Sequence, residues 1–553
     1  MKVQKLSSPA YTELYRPQYH YSAYDSWLND PNGLVYFKGK YHMYYQSNPH
    51  DNINEHMTWG HCVSEDLIHW EEKDFVLYPD RLGDIWSGSA YADETNRSGL
   101  FKTNEGGIIA AYSTQSQYIG IAYSEDGDVF TKFSDSQPVI DNEGIKDFRD
   151  PHLFFDERTG KWVMIIAGGL VRIYTSDDLK TWKNISVYNF NTECPSLFTM
   201  KCNGEEKWVL FRAGRGFIVG NFDGKEFIPE TEQTFINEGP DAYAGIPFAN
   251  TGERRIIVNW HSGWKGITPV GRWNGNMTLP FEIELVKLKS GYRMRQNPVK
   301  EYKCLEGEDL YKAKDVFLND IDLSNIKSNC FELYLEAEKE DVKDFSIEFF
   351  VGEDHKTVLS YIKESGTFIL NRENGPYENE YLSSFSKFDF TPVEDSYENG
   401  KLNIRIFADI SCVEIFVNNG LYNGSYRINP FSTQQGIKIC GTNFKIDELS
   451  IKKMKSIHFE ESKYPDCVHI PNTFPTTIEP GKEYIIPVYS FSGKEISLKT
   501  DGQMNAYIEK DHLHMSCENE GTYNLEFSCG SYFDSIEIVC KKSIYAEVCK
   551  ERY

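Results

Sequence analysis

Short β-rich runs of apolar residues dominate this chain, and helical periodicity is scarce. Residues 40–46, 107–113 and 161–167 are β-rich runs, and Gly, Asn and Asp separate such runs at short intervals. That spacing predicts an all-β protein built as a sandwich, barrel or propeller. A repeat narrows the choice. Ser64-Glu65-Asp66-Leu67 is echoed by Ser124-Glu125-Asp126-Gly127, by Ser176-Asp177-Asp178-Leu179 and more weakly by Asn221-Phe222-Asp223-Gly224. Each sits between a strand-like run and an aromatic residue, and the copies follow at intervals of 60, 52 and 45 residues. All-β units with periods near 50 residues predict propeller blades.

A second repeat interleaves with the first. Asp30-Pro31, Asp150-Pro151 and Glu193-Cys194-Pro195 each place an acid just before a proline that opens a strand-like run. Proline is tolerated at strand starts. If these runs are the innermost strands of different blades, the three acids meet at one end of the propeller axis. Near 295 the repeat stops. Residues 296–455 alternate cleanly, as in 330–337, 402–408 and 413–417, which predicts a β-sandwich with one wet face per sheet. Residues 456–553 open with a polar, proline-containing stretch and read as a further small β-rich domain.

Composition then restricts the partners. The 553 residues carry 83 acidic and 58 basic side chains, a net charge of −25. Nucleic-acid and anionic-membrane binding both need clustered positive charge, so neither partner is expected. The longest apolar run, 162–171, is too short to span a bilayer. No export signal is read in residues 1–8, so a cytoplasmic location is expected. The twelve cysteines include no CxxC pair, which together with that location predicts free thiols. Aromatic residues make up 14 % of the chain, enough for a β-rich core and for rings that stack on sugars. Carboxylates paired in an aromatic funnel predict glycoside hydrolysis, in which one attacks the anomeric carbon and another protonates the leaving oxygen. His42, His50, His56, His61 and His69 are dispersed, and no group has metal-ligand spacing, so neither metal nor cofactor is expected.

The segment Trp27-Leu28-Asn29-Asp30-Pro31-Asn32-Gly33 resembles a motif of glycoside hydrolase family 32, the invertases, inulinases and levanases. Further blocks follow in order: Tyr44-Tyr45-Gln46, Trp59-Gly60-His61, Trp86-Ser87-Gly88-Ser89, Phe148-Arg149-Asp150-Pro151, Glu193-Cys194-Pro195, Asp241-Ala242-Tyr243-Ala244, Asn371-Arg372 and Glu414. The resemblance covers about residues 12–450 and implies a five-bladed propeller over 1–295 followed by the sandwich. It implies Asp30 as nucleophile, Asp150 as transition-state stabiliser and Glu193 as acid/base. Asn29, Gln46, Trp59, Trp86, Ser87, Arg149, Tyr243 and Trp264 are the substrate-binding candidates. Like-charge repulsion and partial burial are expected to raise the Glu193 pKa, and Cys194 is expected to tune Glu193 by packing. The activity implied is retaining release of terminal fructose from β-fructosides. An intracellular sucrose or sucrose-6-phosphate hydrolase is the alternative, with a fructosyltransferase or a silent fructan-binding protein behind it. A homo-oligomer formed through the sandwich or the C-terminal domain is a further expectation.

Overall fold

The computed structural model describes residues 11–133, 137–262, 273–372, 387–458, 468–470, 475–490 and 492–542. These residues form an almost purely β structure, with only short 3-10 turns besides strands. Within 26–298 lie five antiparallel sheets in chain order. Their innermost strands are Ser26–Phe37, Ile85–Asp93, Arg149–Asp156, Pro195–Cys202 and Ala242–Pro247. Neighbouring sheets share apolar layers. Val35, Tyr44 and Trp59 meet Ile85 and Ile108, and Val163 and Ile165 meet Leu197 and Trp208. The ring closes where Trp273–Asn274 pairs in parallel with Ser26–Trp27 and Val35 bridges Ala249.

The Ser/Asp repeat has a structural cause. In each of the three strong copies the serine hydroxyl donates to the aspartate two residues on, at 2.9–3.2 Å. That aspartate caps the turn by accepting backbone N–H groups, as from His69, Val129 and Thr181, and Asp223 does the same for Glu226. The next residue, Leu67, Gly127, Leu179 or Gly224, takes a positive φ of 63–90°. The repeat is the outer hairpin turn of successive sheets, an Asx turn with a fixed left-handed position.

Residues 306–454 form a sandwich of a six-stranded and a five-stranded sheet around a dense aliphatic and aromatic core. Charged ties join it to the propeller. Arg372 Nη1 donates to Asp241 Oδ2, which also accepts the Arg427 N–H at 2.8 Å. Glu414 Oε1 accepts the Leu279 N–H at 3.1 Å. The family-like blocks around Asp241, Arg372 and Glu414 therefore serve the join between the two units.

The last unit packs two small sheets, of four and three strands, and a separate two-stranded pair around its own core. It touches the sandwich through Asp511, which accepts from the Ser432 N–H and hydroxyl at 2.7 Å each, and the N-terminal segment through the Tyr489 hydroxyl on Thr12 O. The free-thiol expectation fails here, because Cys517 and Cys540 form a disulfide. They end strands of the two different sheets, His512–Cys517 and Tyr532–Cys540, which folding brings together across 23 residues. Disulfides persist in oxidising surroundings, so the cysteines no longer argue for a reducing compartment. Among the described residues, Cys62, Cys194, Cys202, Cys304, Cys330, Cys412, Cys440 and Cys529 form no disulfide.

Candidate active site

Two of the three acids, Asp30 and Asp150, sit where the inner strands are deformed, and Glu193 stands just before the regularly paired strand that Pro195 opens. Leu28 pairs with Ser47 and Pro31 with Tyr45, so Asn29 and Asp30 together oppose Gln46. In the second sheet Trp86 and Ser87 oppose Ser113, and in the third Asp150 and Pro151 oppose Ile166. Two residues facing one is a β-bulge, which bends the strand and re-aims its side chains. Pro31 and Pro151 fit because a bulge relieves the ladder of a hydrogen bond they cannot make, and Pro195 fits as the first residue of its strand. Asp150 and Cys194 have φ of 60° and 41°, a left-handed backbone that non-glycine residues hold only when the surroundings enforce it. Gly33, just past Asp30, has φ 51°, and a Cβ there would stand 2.7 Å from the Tyr44 ring.

Folding brings the acids together. Asp30 Oδ2 accepts from the Ser87 hydroxyl at 2.8 Å, and Oδ1 from Asn29 Nδ2 at 3.1 Å. Asn29 is oriented by the Trp27 indole N–H, which donates to its Oδ1 at 2.7 Å. Asp150 Oδ2 accepts the Cys194 N–H at 3.0 Å and lies 3.7 Å from Arg149 Nε. Cys194 Sγ stands 3.9 Å from Asp30 Oδ2 and 3.7 Å from Asp150 Oδ2, bridging these two acids. The Glu193 carboxylate instead receives Arg149 Nη2 on Oε1 and the Tyr243 hydroxyl on Oε2. A cavity of about 550 Å³ opens on this side, lined by Arg149, Glu193, Arg212, Arg215, Phe235 and Tyr243.

The electrostatics correct the sequence-based expectation. Burial pushes the Asp150 carboxyl up to about 7 against the pull of Arg149 and the Cys194 N–H, and the charges of Asp30 and Glu193 push the same way. Burial also raises Glu193, but the hydrogen bonds from Tyr243 and Arg149 outweigh it, and its pKa is lowered. In the resting site Asp150, not Glu193, is the carboxyl that keeps a proton toward neutral pH. Burial drives the Cys194 thiol well above its ordinary value, with Asp150 and Asp30 adding to the rise, so it is no nucleophile.

The binding candidates divide. Asn29, Ser87, Arg149 and Tyr243 touch the acids directly, and Trp86 stands beside them with the Arg149 guanidinium 5.9 Å from its ring. Gln46 is buried opposite the Asp30 bulge, and its Nε2 has no hydrogen-bond partner in the structure. Trp59 is not a sugar platform. It is fully buried in the layer between the first two sheets, where its indole N–H donates to Trp86 O at 3.0 Å. It supports Trp86 from behind. Trp264 lies outside the described residues. Sequence reading missed Ser113, because a serine inside an apolar run carries no signal until the bulge places it. It set Cys194 against Glu193, whereas the sulfur stands against Asp30 and Asp150 as well.

Among the described residues, the ligand atoms of one set, His20, Asp409 and Cys412, converge closely enough to hold a cation. All three are buried away from the acids, and Asp409 is engaged by the N–H groups of Gln18 and Tyr19 and by the His20 ring. This cluster anchors the N-terminal segment to the sandwich.

Residues 20–298 match the N-terminal domain of glycosyl hydrolases family 32, and residues 304–455 match the C-terminal domain of the same family. The levanase of Bacillus subtilis (strain 168) is 33 % identical over 81 % of this chain and 72 % of its own length. The fructan beta-fructosidase of Streptococcus mutans serotype c (strain ATCC 700610 / UA159) is 34 % identical over 81 % of this chain, which spans only 34 % of that protein. The crystal structure of exo-inulinase from Aspergillus awamori superposes with a TM-score of 0.74 at 26 % identity, covering 81 % of this chain and 99 % of that one. The chain belongs to glycosyl hydrolase family 32 and is a glycoside hydrolase.

Proposed function

We propose that the protein is a retaining, exo-acting β-fructosidase that releases terminal fructose from fructo-oligosaccharides and fructans by double displacement. The observation that carries this reading is the convergence of three carboxyl groups from three different sheets, bridged by Cys194 and Arg149. Asp30, held by two donors and half-buried, is placed to attack the anomeric carbon. Glu193 gives its proton to the leaving oxygen as that bond breaks, and the fructosyl group passes to Asp30. Glu193 then takes a proton from water, which displaces Asp30 with net retention. Asp150 and Arg149 hold fructose hydroxyls.

The resting protonation pattern has to reverse for this to work. Sugar hydroxyls donating to Asp150 stabilise its anion. A leaving sugar that expels water from around half-exposed Glu193 raises that carboxyl. The cavity beside Glu193 is on the side where the leaving group belongs. Two of its walls favour a second reading. Arg212 and Arg215 donate to the neutral acceptors Gln233 Oε1 and Gly239 O, which leaves their charge available to an anionic leaving group such as a phosphorylated sugar.

A product profile decides between them. The protein is incubated separately with sucrose, sucrose 6-phosphate, 1-kestose, inulin and levan, and the products are resolved over time by anion-exchange chromatography. Fructose as the sole early product from oligomers or polymers supports the exo-fructosidase. Turnover confined to sucrose or its phosphate selects the second reading. Asp30→Asn and Glu193→Gln should each cost more than about 10³-fold in kcat on the best substrate, and retained activity in either refutes the assigned roles.

A further inference from the structure

Ser113 lies in the strand Gly107–Thr114 of the second sheet and is completely buried. It faces the bulge of Trp86 and Ser87, where the regular ladder is interrupted. Its hydroxyl donates to Ser87 O at 2.9 Å. The same oxygen accepts the Asp150 N–H at 3.2 Å, across to the third sheet. A serine hydroxyl has one donor and two acceptor positions, so both bonds form at once. Each partner continues to an acid. Ser87 Oγ donates to Asp30 Oδ2 at 2.8 Å, and Asp150, in its left-handed backbone, presents Oδ2 to the Cys194 N–H at 3.0 Å.

We propose that Ser113 is a positioning residue for hydrolysis: one buried hydroxyl ties the backbone that aims Ser87 at Asp30 to the backbone that presents Asp150. It touches no reacting atom. The proposal rests on the catalytic reading of Asp30 and Asp150 given above. Its chemistry is specific to the hydroxyl. Alanine at 113 removes both bonds, to the Ser87 carbonyl and from the Asp150 N–H, and both bulged segments then relax toward other polar groups. Misplacement by about 1 Å is enough to cost about 100-fold in rate.

An internal control separates positioning from packing. Ser89 is buried in the inner strand of the same second sheet, and its hydroxyl accepts the Leu153 N–H at 2.8 Å. That bond also joins the second sheet to the third, three residues beyond Asp150, and it has no link to an acid. The experiment measures Tm, and kcat and KM on 1-kestose, for the full-length wild type, Ser113→Ala, Ser113→Thr and Ser89→Ala. Ser113→Ala should lose about 100-fold in kcat with KM within about threefold, because the substrate contacts remain while the acids shift. Ser113→Thr, which keeps the hydroxyl, should recover at least about tenfold of that loss. Ser89→Ala should lower Tm at least as much as Ser113→Ala does and leave kcat within about threefold of wild type. Wild-type kcat in Ser113→Ala overturns the proposal, as does a loss of kcat in Ser89→Ala equal to that in Ser113→Ala. If Ser113→Ala does not fold, Ser113→Cys replaces it, since a thiol fills the space with weak hydrogen bonds. A reduced kcat with normal KM then supports the proposal, and unchanged kcat overturns it. Activity surviving in Asp30→Asn would overturn the catalytic reading itself, whereas an inactive Asp30→Asn beside a normal Ser113→Ala removes only the role of Ser113.

Discussion

Replacing Asp150 by Asn probes the most perturbed carboxyl of the site. Only 6 % of the Asp150 surface is exposed, and burial is the main cause that lifts its pKa to about 7. An unfolded aspartate titrates near 3.9, so the folded group is raised by about three units, or about 4 kcal/mol at about 1.36 kcal/mol per unit. The sign follows from proton counting. Between pH about 4 and 7 the folded protein holds this proton while the unfolded chain has lost it, so stability falls as pH rises through that window. The contribution is fully present below pH about 4 and gone above pH about 7. Asparagine cannot ionise, and its Oδ1 can still accept the Cys194 N–H. Asp150→Asn should therefore gain stability relative to wild type as pH rises from 4.5 to 8, by up to about 4 kcal/mol. At about 2 °C per kcal/mol for a unit of this size, the Tm difference should widen by about 8 °C. Differential scanning calorimetry of both proteins at several pH values reads this directly, and the variant should be inactive throughout. Parallel Tm curves would refute the assignment of a buried, proton-holding Asp150.

Two further outcomes are expected. Tyr243→Phe removes a hydrogen bond that holds Glu193 as an anion, so the Glu193 pKa should rise. The alkaline limb of the kcat/KM profile should move to higher pH, and an unmoved limb rejects Tyr243 as a determinant of that acid. Cys517→Ser should destabilise the C-terminal unit by about 3 kcal/mol, as expected for a loop closed across 23 residues. Alkylation of the denatured, unreduced protein followed by mass mapping should leave Cys517 and Cys540 unmodified, and labelling of both would refute the pairing.

Strand alternation, the Ser/Asp turn repeat and the three acid–proline steps were all legible in the chain, because each is a local pattern with a local cause. An aspartate that caps its own turn does so wherever the turn occurs, and a proline marks a strand start or an interrupted ladder before any neighbour is known. What lay beyond local pattern was misjudged in a consistent way. Trp59 carries the same side chain as Trp86, yet one is sealed between sheets and the other stands beside Arg149. The cysteines that pair are 23 residues apart and belong to different sheets.

By itself, then, the sequence determined the strand-rich architecture, the turns between strands and the identity of the three acids. Those depend on side-chain periodicity and on backbone preferences that each residue carries with it. The tertiary structure alone decided how the acids behave. Whether Glu193 or Asp150 keeps a proton depends on which donors reach each carboxyl and how much water is left around it. Arg149, Tyr243, Ser87 and Ser113 act on acids from other sheets and so enter only once the ring has closed. Electrostatic energies depend on distance and burial rather than on separation along the chain, which is why the chemistry of this site appears only in three dimensions.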